Sequence, residues 1–423
     1  MRRGLFLLAM LLVLPGFARA DDLYVNCAGG PLDPGEYATI NDALNLGATD
    51  PHRDYRIYIT GTCIEKINLY RRSGISFIGQ DDLASVESPA PPNAGIVFNL
   101  NGAQFITIQR LNIRNGTNGV SAQNSSTVTI DSCTIENSTF GGIQANSNSN
   151  VYIGSDPASA ARGVSINGSG GAGIFATESL VEIRGHTTIE NNTGNGISLN
   201  GGRLRLRAVN TENLIRNNAS GIGVGSSASA SIEGQNTIQN NTFMGVIVTG
   251  SSASFNEVVR ASDGDVRITT IEGHPNSGLT AAHTAEASLG GRHKIRNNGA
   301  TTAPTSYAGV RIFNNSTIQM GNGVEVSGNT GPGVLADASG VLVVVSPITI
   351  TGNSQEGVRL TLLSAAKILI SLGQTVSTIN SITCDETSAL TGAVTMTDGT
   401  VSGEVLGVGT TNCSKIGAAK TTK

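Results

Sequence analysis

The chain has 423 residues, of which 39% are hydrophobic, 14% charged and only 4% aromatic, with 54 Gly and no Trp. Its 27 basic and 31 acidic side chains give a net charge of −4, or about −7 once Arg2, Arg3 and Arg19 leave with the leader described next. That balance excludes a nucleic-acid partner, which needs a dense basic footprint. No polybasic amphipathic stretch marks a membrane surface either.

Residues 1–20 read as a signal peptide. Arg2 and Arg3 form its basic end, residues 5–14 its apolar core, and Ala18-Arg19-Ala20 a small-x-small cleavage site. The apolar run is about half of what a bilayer crossing needs, and no later stretch reaches that length. Asp21 follows, where a lipoprotein would carry Cys. The expectation is a secreted or periplasmic monomer with no transmembrane segment in the mature chain.

Residues 21–70 are expected to form an N-terminal cap. Thr39 to Leu44 offers a short amphipathic segment whose Ile40, Ala43 and Leu44 share one face. Such a segment would plug the open end of the stack that follows, since bare strand edges invite aggregation.

From about residue 71 to 371 the sequence repeats. Gly-apolar pairs recur at Gly119, Gly142, Gly173, Gly196, Gly221, Gly245, Gly278, Gly309, Gly333 and Gly357. Six of the nine intervals are 23 to 25 residues, and the other three are 31 or 33. A fixed period of this size is the mark of a solenoid. Within each unit, apolar and polar residues alternate over four or five positions before Gly, Asn or Ser breaks the run, which is strand and turn chemistry. Three short strands per coil give an all-β, single-chain right-handed parallel β-helix of ten to thirteen rungs.

The phrase "IENNTGNGI" and its copies fit that coil. Ile113, Ile135, Ile189, Ile215, Ile238, Ile295 and Ile350 are expected to stack inward. Asn191, Asn217, Asn240 and Asn297 follow where the chain turns, and Asn tolerates the left-handed backbone of such a turn. Their amides are expected to bond rung to rung as a ladder, a structural role rather than a ligand site.

After the repeats fade, residues 372–423 are expected to cap the far end. Cys384 and Cys413 bracket that end as Cys27 and Cys63 bracket the first cap. An exported chain permits disulfides. Two terminal bridges with Cys133 buried alone is the reading adopted, the pairing itself being open.

With these motifs the chain resembles secreted right-handed parallel β-helix repeat proteins of the pectate-lyase-like superfold. The rung motifs cover roughly residues 70 to 370, and "ATINDAL" resembles the helical cap that opens many such chains. The resemblance implies a fold shared by polysaccharide lyases, hydrolases, epimerases, tailspikes and adhesins, and so selects no single activity. Asp50-Pro51-His52 matches the start of an alginate-epimerase block, but Arg53 stands where an acid is needed. Arg292-His293-Lys294 is the nearest echo of a polygalacturonase block.

The two long intervals between Gly245 and Gly309 carry the remaining lead. Residues 256–296 hold ten charged side chains in 41 positions, against six in the 75 positions of 297–371. Extra residues on a regular coil protrude as loops, and loops on rigid scaffolds carry function. Asp263 and Asp265 share one side of an extended segment and offer oxygen ligands for calcium. Arg267, Arg292, His293 and Lys294 are the candidate catalytic residues, as bases for β-elimination or C5 epimerisation of an acidic sugar. The expected function is binding or processing of a polysaccharide on a lateral face. The alternative is a non-enzymatic adhesin-like or structural module.

Overall fold

The computed structural model describes residues 20–50, 53–89, 95–154, 163–299 and 307–368, together with the strand backbones of Thr378–Ile379, Ile382–Cys384 and Ala389–Gly392. The signal peptide, most of the C-terminal cap and Cys413 lie outside the described residues, as does the Cys384 side chain.

The chain coils as a right-handed parallel β-helix with three faces. Each coil contributes a strand to a first face, turns a corner into a second, and turns again into a third. The third face is a sheet of thirteen parallel strands. The first two merge into one 27-stranded sheet because Arg203–Arg216 and Ser229–Gln239 run unbroken around the corner between them. Coiling starts before residue 71, since Tyr55–Thr60 already pairs in register with Ile75–Gly79. It also continues past 371, where Ala389–Gly392 pairs with Ala365–Ile368.

Register places the isoleucines in one inward column on the second face. Ile113, Ile135, Ile166, Ile189, Ile215, Ile238, Ile271 and Ile295 are successive partners. All are at most 1% exposed. Fully burying such a side chain is worth about 2–3 kcal/mol. A second inward column, from Ile143 through Ile174, Ile197, Ile222 and Val246, lines the third face. The glycine before each of these is required by close approach. A Cβ on Gly196 would lie 2.6 Å from Ile215 Cγ2 and 2.8 Å from the Gly221 carbonyl.

The corner between second and third faces corrects one expectation. Asn191, Asn217, Asn240 and Asn297 do adopt left-handed backbone, with φ of 56°, 54°, 52° and 55°. Their side chains are exposed, however, and the ladder runs through the next residue. The buried Asn192 bonds Asn218 (Nδ2 to Oδ1, 2.9 Å), Asn218 bonds Asn241 (3.1 Å), and Asn298 bonds Asn329 (3.0 Å). Each Oδ1 also accepts the backbone N–H of the rung before, as Asn218 does from Asn192 at 3.1 Å. The left-handed residue turns its side chain out; the one after it turns in, and only an inward polar side chain can satisfy buried backbone.

The N-terminal cap is pinned at three points. The Glu65 carboxylate accepts the N–H groups of Ile40 (2.7 Å) and Asn41 (3.0 Å) at the start of the short helical segment. Arg72 donates to the carbonyls of Leu44 and Ala48 at its end. Ile40, Ala43 and Leu44 are buried in the common core. A disulfide joins Cys27 to Cys63, while Cys133 is free and buried.

Three stability outcomes are expected. Asn218→Ala orphans the Asn192 N–H and the Ile189 carbonyl it bonds at 3.0 Å, a loss of about 2–4 kcal/mol in urea unfolding. Asn217→Ala, which removes an exposed side chain from a left-handed residue, costs about 1 kcal/mol. Separately, Cys27→Ser opens a bridge spanning 36 residues and costs about 3–4 kcal/mol.

Candidate functional site: a groove on the first face

The charged bulge forms a small antiparallel hairpin, Val258–Val259 against Val266–Arg267, at the corner between first and second faces. Its carboxylates face guanidinium groups. Arg260 is bonded to Asp263 and lies 3.7 Å from Asp265, which is in turn 3.5 Å from Arg267. Arg267 also donates to Gln235 at 2.6 Å. Among the described residues, the three-ligand grouping that occurs is Cys27, Cys63 and Glu65, two of which form the disulfide.

The remaining candidates are dispersed. Arg292 pairs with Glu257 at 3.3 Å on the corner. Lys294 lies in a second-face strand, between Thr270 and Glu325 in register. His293 is only 1% exposed, and its Nδ1 accepts the Thr269 N–H at 3.1 Å. Burial pushes its pKa down. An imidazole turned into the core cannot reach a substrate on the surface, so His293 is a structural residue and not a base. Nothing brings Asp263, Asp265, Arg267, Arg292, His293 and Lys294 together around one reacting atom.

A surface concavity lies elsewhere, on the first face. A groove of about 670 Å³ runs across the strands that begin at Arg203, Ser229, Ser252, Glu286 and Thr317. A smaller hollow of about 440 Å³ shares Arg203 and Ser229 and extends it back to Asn148. Side-chain volume explains the depression. One of the two inward columns there reads Val181, Leu204, Ala230, Ala253, Ala287, Ile318 in register, so three successive rungs carry a small residue in it while Ile232, Phe255 and Leu289 fill the other. On the outside the same rungs carry Ser229, Ser231, Ser252, Ser254 and Ser288, the shortest polar side chains, so the floor is low and rich in hydroxyls.

Charge rims this floor. Arg203, Arg205 and Arg207 alternate along one strand and therefore point to one side, about 7 Å apart. Arg205 reaches Glu182 at only 3.7 Å, and Arg207 reaches Glu233 at 3.8 Å. Arg203 is exposed and makes no ion pair among the described residues; neither does Glu286, three rungs away in the same column. Arg184 bonds Glu182 at 3.0 Å and lies 4.7 Å over the Tyr152 ring.

The second face provides the contrast. There, Glu190 stands directly under Arg216 (2.6 Å) and Glu272 under Arg296 (2.7 Å), so these arginines are matched by an acid one rung away. The first face leaves an arginine unmatched beside a hollow. Its signal was present in the sequence as "RLRLR", a period-2 run of basic residues. Only Glu286 of the groove's charged residues falls within the bulge that sequence spacing singled out.

The sequence model of the right-handed β-helix region matches residues 94–262. No curated protein matches the sequence. Among solved structures, the periplasmic alginate epimerase AlgG is similar at 12% identity and a TM-score of 0.46, over 80% of this chain and 84% of that one. The mannuronan C-5 epimerase AlgE4 A-module of Azotobacter vinelandii is similar at 11% identity and a TM-score of 0.39, over 88% of this chain and 100% of that one. The catalytic domain of a GH87 α-1,3-glucanase is similar at 15% identity and a TM-score of 0.36, over 84% and 69%. The parallel register of its coils and the match over residues 94–262 give the fold: the protein is a right-handed parallel β-helix.

Proposed function

We propose that the protein binds a polysaccharide bearing carboxylate groups along the first-face groove. The observation that carries this reading is the unmatched Arg203 beside a floor of serine hydroxyls. A guanidinium with five donors suits a sugar carboxylate, and short hydroxyls suit the hydroxyls of successive sugar rings. The groove and its extension cross seven rungs, from Asn150 to Thr317 in register, about 29 Å at the rung spacing. That length fits an extended chain rather than a single sugar. The reading invokes no calcium at the hairpin, where Arg260 already faces Asp263 and Asp265. It places the protein in an oxidising compartment, where the Cys27–Cys63 bridge persists.

Calorimetry with the mature chain and uronate oligosaccharides tests this. Binding is expected to weaken with salt, and Arg203→Ala is expected to lower affinity about tenfold without changing the unfolding midpoint. Equal binding of the variant, or equal affinity for neutral oligosaccharides, overturns the Arg203 assignment. Failure to bind either class leaves the spacer or adhesin-like reading in its place. Ultraviolet absorbance of unsaturated sugar ends, followed in the same samples, separates binding from eliminative cleavage.

A further inference from the structure

Two buried histidines occupy ladder positions that other rungs fill with Asn or Thr. In the corner between second and third faces the column reads Asn192, Asn218, Asn241, His274, Asn298, Asn329 and Asn353. His274 reproduces the amide's two roles. Its Nδ1 accepts the Asn241 N–H at 3.2 Å, and its Nε2–H donates to the Ile238 carbonyl at 3.1 Å. In the corner between first and second faces the column reads Asn213, Asn236, Thr269 and His293. There His293 Nδ1 accepts the Thr269 N–H.

The two histidines bound one coil. Between them the chain makes one circuit less its second-face strand, through Leu279–Ala282 on the third face and Glu286–Gly290 on the first. That circuit carries Glu286 and Ser288 into the groove and sits beside the hairpin.

An amide and a neutral imidazole are interchangeable in these columns, but only the imidazole takes up a proton. A protonated Nδ1 is a donor, and it would face the N–H of Asn241 or Thr269, also a donor. We infer that His274 and His293 form a proton-operated latch that holds the coil between them closed at neutral pH and releases it on acidification. Geometry supplies the switch: one hydrogen bond per corner is lost, and an imidazolium is left in an apolar wall that includes Phe255, 6.2 Å from the His293 ring. The acids near the two rings are Glu272, paired with Arg296, and Glu257, paired with Arg292. Both are committed to those partners. Burial outweighs them, holding His274 down at about 4 and lowering His293 in the same direction. The stabilisation from neutral imidazoles is therefore whole above about pH 6.5 and lost as pH falls toward 4. Release of this coil would dismantle the groove's far rim, a consequence that rests on the glycan reading, whereas the opening itself does not.

Hydrogen exchange of the mature chain at pH 7 and pH 4.5, corrected for intrinsic rates and with no glycan present, tests the latch. The amides of Asn241, Thr269 and Glu286–Gly290 are expected to lose protection at least about tenfold on acidification, while those of Ile197–Asn200 keep theirs. In the His274→Asn, His293→Asn double variant, which restores the residue used by other rungs, that selective loss is expected to vanish. His274→Asn alone serves if the double variant does not fold, with protection at Asn241 then unchanged by pH. Uniform protection in the native protein at pH 4.5, or an identical loss in the variants, overturns the inference. Because no glycan enters the experiment, failure of the latch is distinct from failure of the binding assignment.

Discussion

A coil stacked about 4.8 Å above another must place like side chains against like, because each residue meets its counterpart one circuit away. Everything else in this protein follows from that contact. Apolar residues meeting apolar residues give the inward columns of Ile and Val, continuous from Ile113 to Ile350. Arginine meeting glutamate gives the ion pairs of the second face. Where a column changes its residue type, the surface changes its shape: three alanines in succession lower the first face, and serines outside them leave the depression open.

Corners set the harder problem. A backbone turning inside a stack leaves N–H groups that cannot pair with a neighbouring strand, and burial makes each one costly. The solution is a side-chain acceptor borrowed from the next rung. Asn192, Asn218 and Asn241 serve one corner, Asn213 and Asn236 another, and Ser126, Ser149 and Ser179 the third. The same device that holds regular rungs accepts histidine at two places, which introduces a proton sensitivity absent from an amide. Structural economy and the inferred latch thus come from one device, used at two corners.

Much of the fold was legible in the sequence because periodicity is a property of order along the chain. The isoleucine schedule, the Gly-apolar ladder and the amphipathic Ile40–Leu44 segment each announced their place. The ladder was displaced by one residue for a physical reason: consecutive asparagines look alike in sequence, but left-handed backbone at Asn217 turns one side chain out and the next one in. The site was less legible. Local charge density pointed to residues 256–296, where most of the charges prove to be paired with one another. Unmatched charge depends on what lies one circuit away, and Arg203 is exposed as unpaired only once Leu180 and Ser229 are known to be its neighbours.

Register between successive coils is the claim on which core, ladders and groove all depend, and paired cysteines on the groove floor measure it directly. Ser231 and Ser254 are partners on adjacent rungs, while Ser231 and Ser288 are two rungs apart. At about 4.8 Å between rungs, a Ser231→Cys, Ser254→Cys pair lies within disulfide reach and a Ser231→Cys, Ser288→Cys pair lies beyond it. Mild oxidation is expected to bridge the first pair in the folded protein and leave the second reduced. Bridging of the second pair in preference to the first would contradict the stacking described here.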